Sequence, residues 1–166
     1  MNQQHDPREG NSYFHPIPKG CMAKDQRFAR ALESLYINEL TAMAQASYWG
    51  MLCEGSSRRM ADQFYEQMNN AIAHFRLLGE MILALGGNPA VRCQIRVEAL
   101  PIQGEDDCPD EICARVLVCA VRWQKRSIDL YQTLLGRTED RVARSLLLQL
   151  LSVQERYLRH LERVQK

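Results

Sequence analysis

Apolar residues recur every three or four positions along four stretches of this chain, and each stretch is bounded by capping or breaking residues. The first runs from about Asp25 to Glu54, with Phe28, Leu32, Leu35, Tyr36, Met43, Ala46 and Trp49 on one face. Gly55 ends it, and Ser56 or Ser57 caps the next. The second spans about Ser57 to Leu85 and aligns Met60, Phe64, Met68, Ala71, His74, Phe75, Leu78 and Ile82. Its stop is strong: Gly86 and Gly87 supply a left-handed residue and Pro89 forbids resumption. The third starts near Asp107, with Pro109, Asp110 and Glu111 suiting a helix N-terminus. Its stripe is Val116, Ala120, Trp123, Ser127, Leu130 and Leu134. Gly136 closes it. Thr138, Glu139 and Asp140 open a fourth with Leu146, Leu147, Leu150, Val153, Gln154, Tyr157, Leu161 and Val164. The pattern predicts four long helices and no strand of weight.

The connections order these helices. A turn as short as the one at Gly55 makes the first two antiparallel neighbours. Residues 87–108 have no helical period, and a connection of ~22 residues is long for a compact domain. Its length fits a chain returning along the bundle, a crossover between helices 2 and 3. Pro7, Pro16, Pro18 and Gly20 break any period in residues 1–24, which read as a flexible arm. Tyr13, Phe14 and Ile17 give that arm something to pack with, on the body or on a second subunit. The predicted bundle is residues 25–166.

Composition narrows the function classes. A net charge of +1 without a long basic run argues against nucleic acid or an anionic membrane as partner. No segment reaches the ~20 apolar residues of a spanning helix, and the N-terminus is too polar for a signal peptide. The expectation is a cytoplasmic protein. Six cysteines are present: Cys21, Cys53, Cys93, Cys108, Cys113 and Cys119. They are expected to be reduced, mostly as small buried apolar residues. Cys108, at a helix N-terminus, is the candidate reactive thiol. A redox or thiol-metal site from Cys93, Cys108 and Cys113 is the alternative.

Polar residues on the apolar stripes are the informative ones. Glu39 sits four residues after Leu35 and four before Met43, where a lone carboxylate is costly unless paired or ligating. Counting from the Gly55 turn places Glu39 and His74 at nearly the same height, facing each other. A protonated His74 would make them a self-neutralising pair.

The four helices, the crossover and the stop Leu85-Gly86-Gly87-Asn88-Pro89 resemble the ferritin-like superfamily, in rubrerythrin-like or bacterioferritin-like style. The resemblance covers about residues 26–165. Asn38-Glu39-Leu40-Thr41-Ala42 is similar to the segment bearing the first metal-ligand glutamate, and Gln124 through Tyr131 to the third-helix segment. That family holds two metals with a glutamate from each of two helices and a Glu-x-x-His from each of the others. Here Glu39 remains. The first Glu-x-x-His corresponds to Ala71-x-x-His74, the third-helix glutamate to Gln124, and the second Glu-x-x-His to Gln154-x-x-Tyr157. A shift of three would use Tyr157-x-x-His160. In either register four carboxylates shrink to one.

Glu39, His74, Gln124, Gln154 and Tyr157 are therefore expected to form a buried polar network in the old site. The resemblance then implies an all-α ferritin-like four-helix bundle with a degenerate dimetal site. It implies no cofactor and a non-catalytic structural or interaction role, as a homodimer or with another protein. The alternative is a rubrerythrin-like oxidoreductase with one iron or zinc ion, or a residual di-iron site. Its remnant ligands would be Glu39, His74, His160 and Tyr157.

Overall fold

The computed structural model describes residue 17 and residues 24–89, 95–100 and 108–165. It contains four helices: α1 (Gln26–Cys53), α2 (Arg58–Ala84), α3 (Pro109–Leu135) and α4 (Arg141–Val164). No strand occurs among the described residues. The architecture is an all-α four-helix bundle. Apart from Ile17 and Lys24, the expected arm lies outside the described residues.

Local chemistry sets the helix ends. Asp25 caps α1 by accepting from the Phe28 N–H at 2.9 Å, and Ser57 caps α2 from Met60. Asp140 accepts from both Val142 and Ala143 at the start of α4. The third helix differs from expectation. Its N-cap is Cys108, which makes no side-chain capping bond, while Asp107 lies outside the described residues. Pro109 still suits this start because its missing N–H would have had no helical partner.

The end of α2 is a Schellman motif. Gly87 N–H donates to Ile82 O at 2.8 Å and Gly86 N–H to Leu83 O at 3.0 Å. Gly86 has φ +83°, the only positive value among the described residues. The motif also anchors the start of α1, where Asp25 N–H donates to Leu85 O at 3.1 Å. Gly87 lies so close to α1 that an added Cβ would come within 2.8 Å of the Ala29 Cβ.

The helices form a ring in which α1 touches α2 and α3, and α4 touches α3 and, most loosely, α2. The α1–α2 pair is closest because Gly50 accepts the Tyr65 ring against its backbone. Further along, the Tyr36 and Phe75 rings stack at 4.2 Å. The start of α3 lies at the far end of α1, where Ser56 Oγ donates to Asp110 at 2.7 Å. Since α2 ends at the start of α1, the chain between α2 and α3 must travel the length of the bundle. Residues 95–100 mark its path. The buried Gln45 of α1 clamps Glu98, donating to its carbonyl at 3.1 Å and accepting from its N–H at 2.7 Å.

Two apolar clusters fill the interior. One gathers Phe28, Leu32, Leu35, Leu78, Met81, Ile82, Leu134, Leu147 and Leu150 near the Schellman end. The other gathers Trp49, Cys53, Met60, Phe64, Cys113, Val116, Ala120 and Leu161 near the Gly55 turn. Of the expected α3 stripe, Val116, Ala120, Ser127 and Leu134 are buried and Trp123 and Leu130 half-buried, while Gln124, Ile128 and Tyr131 widen the buried face to one side.

Gly87→Ala should destabilise the chain by about 1–3 kcal/mol in urea unfolding, because Ala29 and Ile82 leave the new methyl no room. Gly55→Ala, with nothing within 4 Å of the added carbon, should change stability by less than about 0.5 kcal/mol.

Candidate functional site

Between the two apolar clusters lies a polar layer to which every helix contributes. Glu39 comes from α1, Gln67 and His74 from α2, Gln124 and Tyr131 from α3, and Gln154 from α4. All six are at most 5% exposed. A buried carboxylate is tolerable only where donors replace its water. Glu39 Oε1 receives two: the Tyr131 hydroxyl at 2.9 Å and the Gln154 amide nitrogen at 3.0 Å. His74 Nδ1 lies 3.3 Å from Glu39 Oε2, close enough for an ion pair when the imidazole is protonated.

Gln154 is the hub. Its amide nitrogen also faces His74 Nδ1 at 3.2 Å. Its amide oxygen accepts from Gln67 Nε2 at 3.3 Å and from Gln124 Nε2. Gln124 Nε2 also lies 3.0 Å from the Gln154 backbone carbonyl, its second acceptor. Charge fixes the orientation of this amide. Turned over, its oxygen would face the carboxylate and its nitrogen would face two other amide donors. Glu39 thus selects the Gln154 orientation, which in turn aligns Gln67 and Gln124.

Burial first, and the Glu39 charge next, push the Tyr131 phenol well above its ordinary range. It stands as a neutral donor. Asn38 Nδ2 donates to the buried Ser127 at 2.9 Å on the same stretch of α1 and α3.

Four of the five residues assigned to the network from sequence come together: Glu39, His74, Gln124 and Gln154. Tyr157 does not join them. Its hydroxyl is buried without a hydrogen-bond partner among the described residues, and burial, then the Glu66 charge, raise its pKa. Three residues beyond Gln154, it points some 60° away around the helix and one turn along it. Tyr131 takes the phenolic place instead. Tyr131 and Gln67 are absent from the sequence-based set, yet each sits seven residues from a member, after Gln124 and before His74. Spacing of two helical turns could have found both.

Tyr157 and His160 line a groove of about 640 Å³ between α2 and α4, together with Gln63, Glu66, Asn70 and Arg156. His74 borders this groove as well as the layer, whereas Glu39 does not line it. The four proposed remnant ligands are thus divided between the two. Cys108 is exposed, and Cys113 is buried beside Cys53. Cys93, the third thiol of that alternative, lies outside the described residues.

The donor set does not suit the two-metal site that the resemblance implies. A cation needs lone pairs converging on one point. Here the Gln154 amide nitrogen, which has no lone pair to offer a cation, donates to Glu39 Oε1 and lies 3.2 Å from His74 Nδ1. One carboxylate is also too little charge for two buried divalent ions. Among the described residues, no three His, Cys, Asp or Glu side chains gather as cation ligands. Among the same residues, no helix is long and apolar enough to cross a membrane. Comparison with known proteins finds no matching family and no matching curated relative.

The chain has six tyrosines, and the raised phenols of Tyr131 and Tyr157 set an alkaline signature. In native protein titrated by tyrosinate absorbance, Tyr131 and Tyr157 should stay protonated near pH ~10 and ionise only on unfolding. Above pH ~10 the folded state holds more protons than the unfolded one, so stability should fall as pH rises further. Tyr131→Phe should make that fall shallower. An equally steep fall would detach Tyr131 from the layer.

Proposed function

We propose that this chain is a ferritin-like bundle whose dimetal site has become a metal-free polar layer, and that it serves as a non-catalytic structural or interaction protein. The observation that carries this reading is the Gln154 side chain. It donates to Glu39 and faces His74, at the position that the resemblance assigns to the glutamate of the second Glu-x-x-His. Gln124, in the place of another glutamate, completes its hydrogen bonding. Amides keep the shape of carboxylates and remove their charge. That exchange preserves a folded bundle and gives up tight binding of hard cations.

The four-helix architecture and the long α2–α3 connection support the ferritin-like part of the proposal. The single carboxylate of the layer already accepts from two protein donors, which supports a scaffold over an oxidoreductase. The large exposed apolar side chains among the described residues are spread over all four helices and residues 95–97.

Metal analysis by mass spectrometry tests the proposal, on protein purified without chelator and on a sample reloaded anaerobically with ferrous iron. Both should hold less than about 0.1 metal per chain. About one ion per chain, lost in Glu39→Ala or His74→Ala, would replace the scaffold with a mononuclear site. Two per chain would restore the dimetal reading.

A further inference from the structure

The Gly55 end of the bundle holds two thiols in direct contact. Cys53 is the last residue of α1, and Cys113 lies in the second turn of α3. Their sulfurs are 3.0 Å apart across a sequence separation of 60 residues. Both thiols are free. Trp49, Met60, Phe64, Val116 and Leu117 build the apolar cluster around them. A disulfide needs its sulfurs at about 2.05 Å, so closure requires a shift of only about 1 Å.

We propose that Cys53 and Cys113 are a reversible disulfide site, oxidised by exchange with a small disulfide of the glutathione class. Cys113 reacts first, being 8% exposed where Cys53 is fully buried. Its thiolate attacks one sulfur of the small disulfide. The small S–S bond breaks, and one small thiol leaves with the proton that Cys113 gave up. Cys53, as thiolate, then attacks the Cys113 sulfur. The mixed disulfide breaks, the Cys53–Cys113 bond forms, and the second small thiol leaves with the Cys53 proton. Two electrons and two protons pass from the protein to the small disulfide.

Position gates this exchange. Burial pushes the Cys53 thiol up, so it is a poor nucleophile while the helix ends are closed. Both cysteines, however, sit near helix termini, beside the turn of residues 54–57. Helix ends open at far lower cost than the whole bundle. Opening of the last turn of α1 brings both thiols to solvent without disturbing the polar layer. Once formed, the bond ties the end of α1 to the start of α3 and closes a loop containing the whole crossover. Exposed Cys108 is the more accessible thiol, but it has no thiol within hydrogen-bonding reach among the described residues. With the thiols of the described residues it therefore goes no further than the mixed disulfide.

The test uses the full chain, incubated with oxidised glutathione, then unfolded in N-ethylmaleimide and digested for mass spectrometry. The expected product is a peptide pair joined through Cys53 and Cys113, separated by dithiothreitol. The melting temperature of the oxidised protein should rise by roughly 5–10 °C, since the bond closes a long loop. In Cys113→Ala both the linked pair and the rise should vanish, while glutathione on Cys108 persists. Three results would overturn the proposal: maleimide on both Cys53 and Cys113, glutathione adducts alone, or a bond from either to another cysteine. The first measurement is made on the unaltered chain, so it stands even if the variant folds poorly.

Discussion

The hydrogen bond from the Gln154 amide to Glu39 is the constraint on which the interior depends. Glu39 has no contact with water, and desolvating a carboxylate without compensation would cost several kcal/mol. Donors from two other helices compensate it: Tyr131 of α3 and Gln154 of α4. His74 of α2 closes the set. These bonds fix the axial register of all four helices, because sliding any one by a residue breaks a bond to a buried charge. Apolar packing alone tolerates such slippage better. The two apolar clusters on either side can therefore be ordinary in composition, while the layer between them specifies how the helices align.

The ends of the bundle do a different job. The Schellman motif after α2, the Asp25–Leu85 bond and the Gln45 clamp on Glu98 route the chain around the core. The Ser56–Asp110 bond and the Cys53–Cys113 contact hold the other end, where the crossover delivers α3. Interior alignment and chain routing thus rest on separate sets of contacts. The dithiol can change state while the layer keeps its bonds.

How far the sequence discloses this depends on the range of the interactions. The ends of α1 and α2 and the start of α4 were legible because Asp25, Ser57, Gly86 and Asp140 act on backbone within a few residues. The pairing of Glu39 with His74 was legible because a short turn lets height be counted from sequence. The face of α3 was legible only in part: Val116, Ala120, Ser127 and Leu134 are buried as expected. Trp123 and Leu130 draw the apolar stripe one position away from its true centre, and Tyr131 falls outside it. A tyrosine is amphipathic enough to sit on either side of that boundary. Tyr157 was misplaced for the complementary reason, because i+3 spacing on α4 carries it from the layer into the groove. Contacts across 60 to 115 residues, such as Cys53–Cys113 and Glu39–Gln154, have no local signature.

A double-mutant cycle between Glu39 and Gln154 addresses the layer most directly. Glu39→Met and Gln154→Met, each of similar length to the residue it replaces, would be compared singly and together by urea unfolding. The account predicts a coupling of about 1–3 kcal/mol, with the double variant less damaged than the sum of the singles. Losses that add to within about 0.5 kcal/mol would mean that the two side chains are independent. The polar layer would then not be what aligns the bundle.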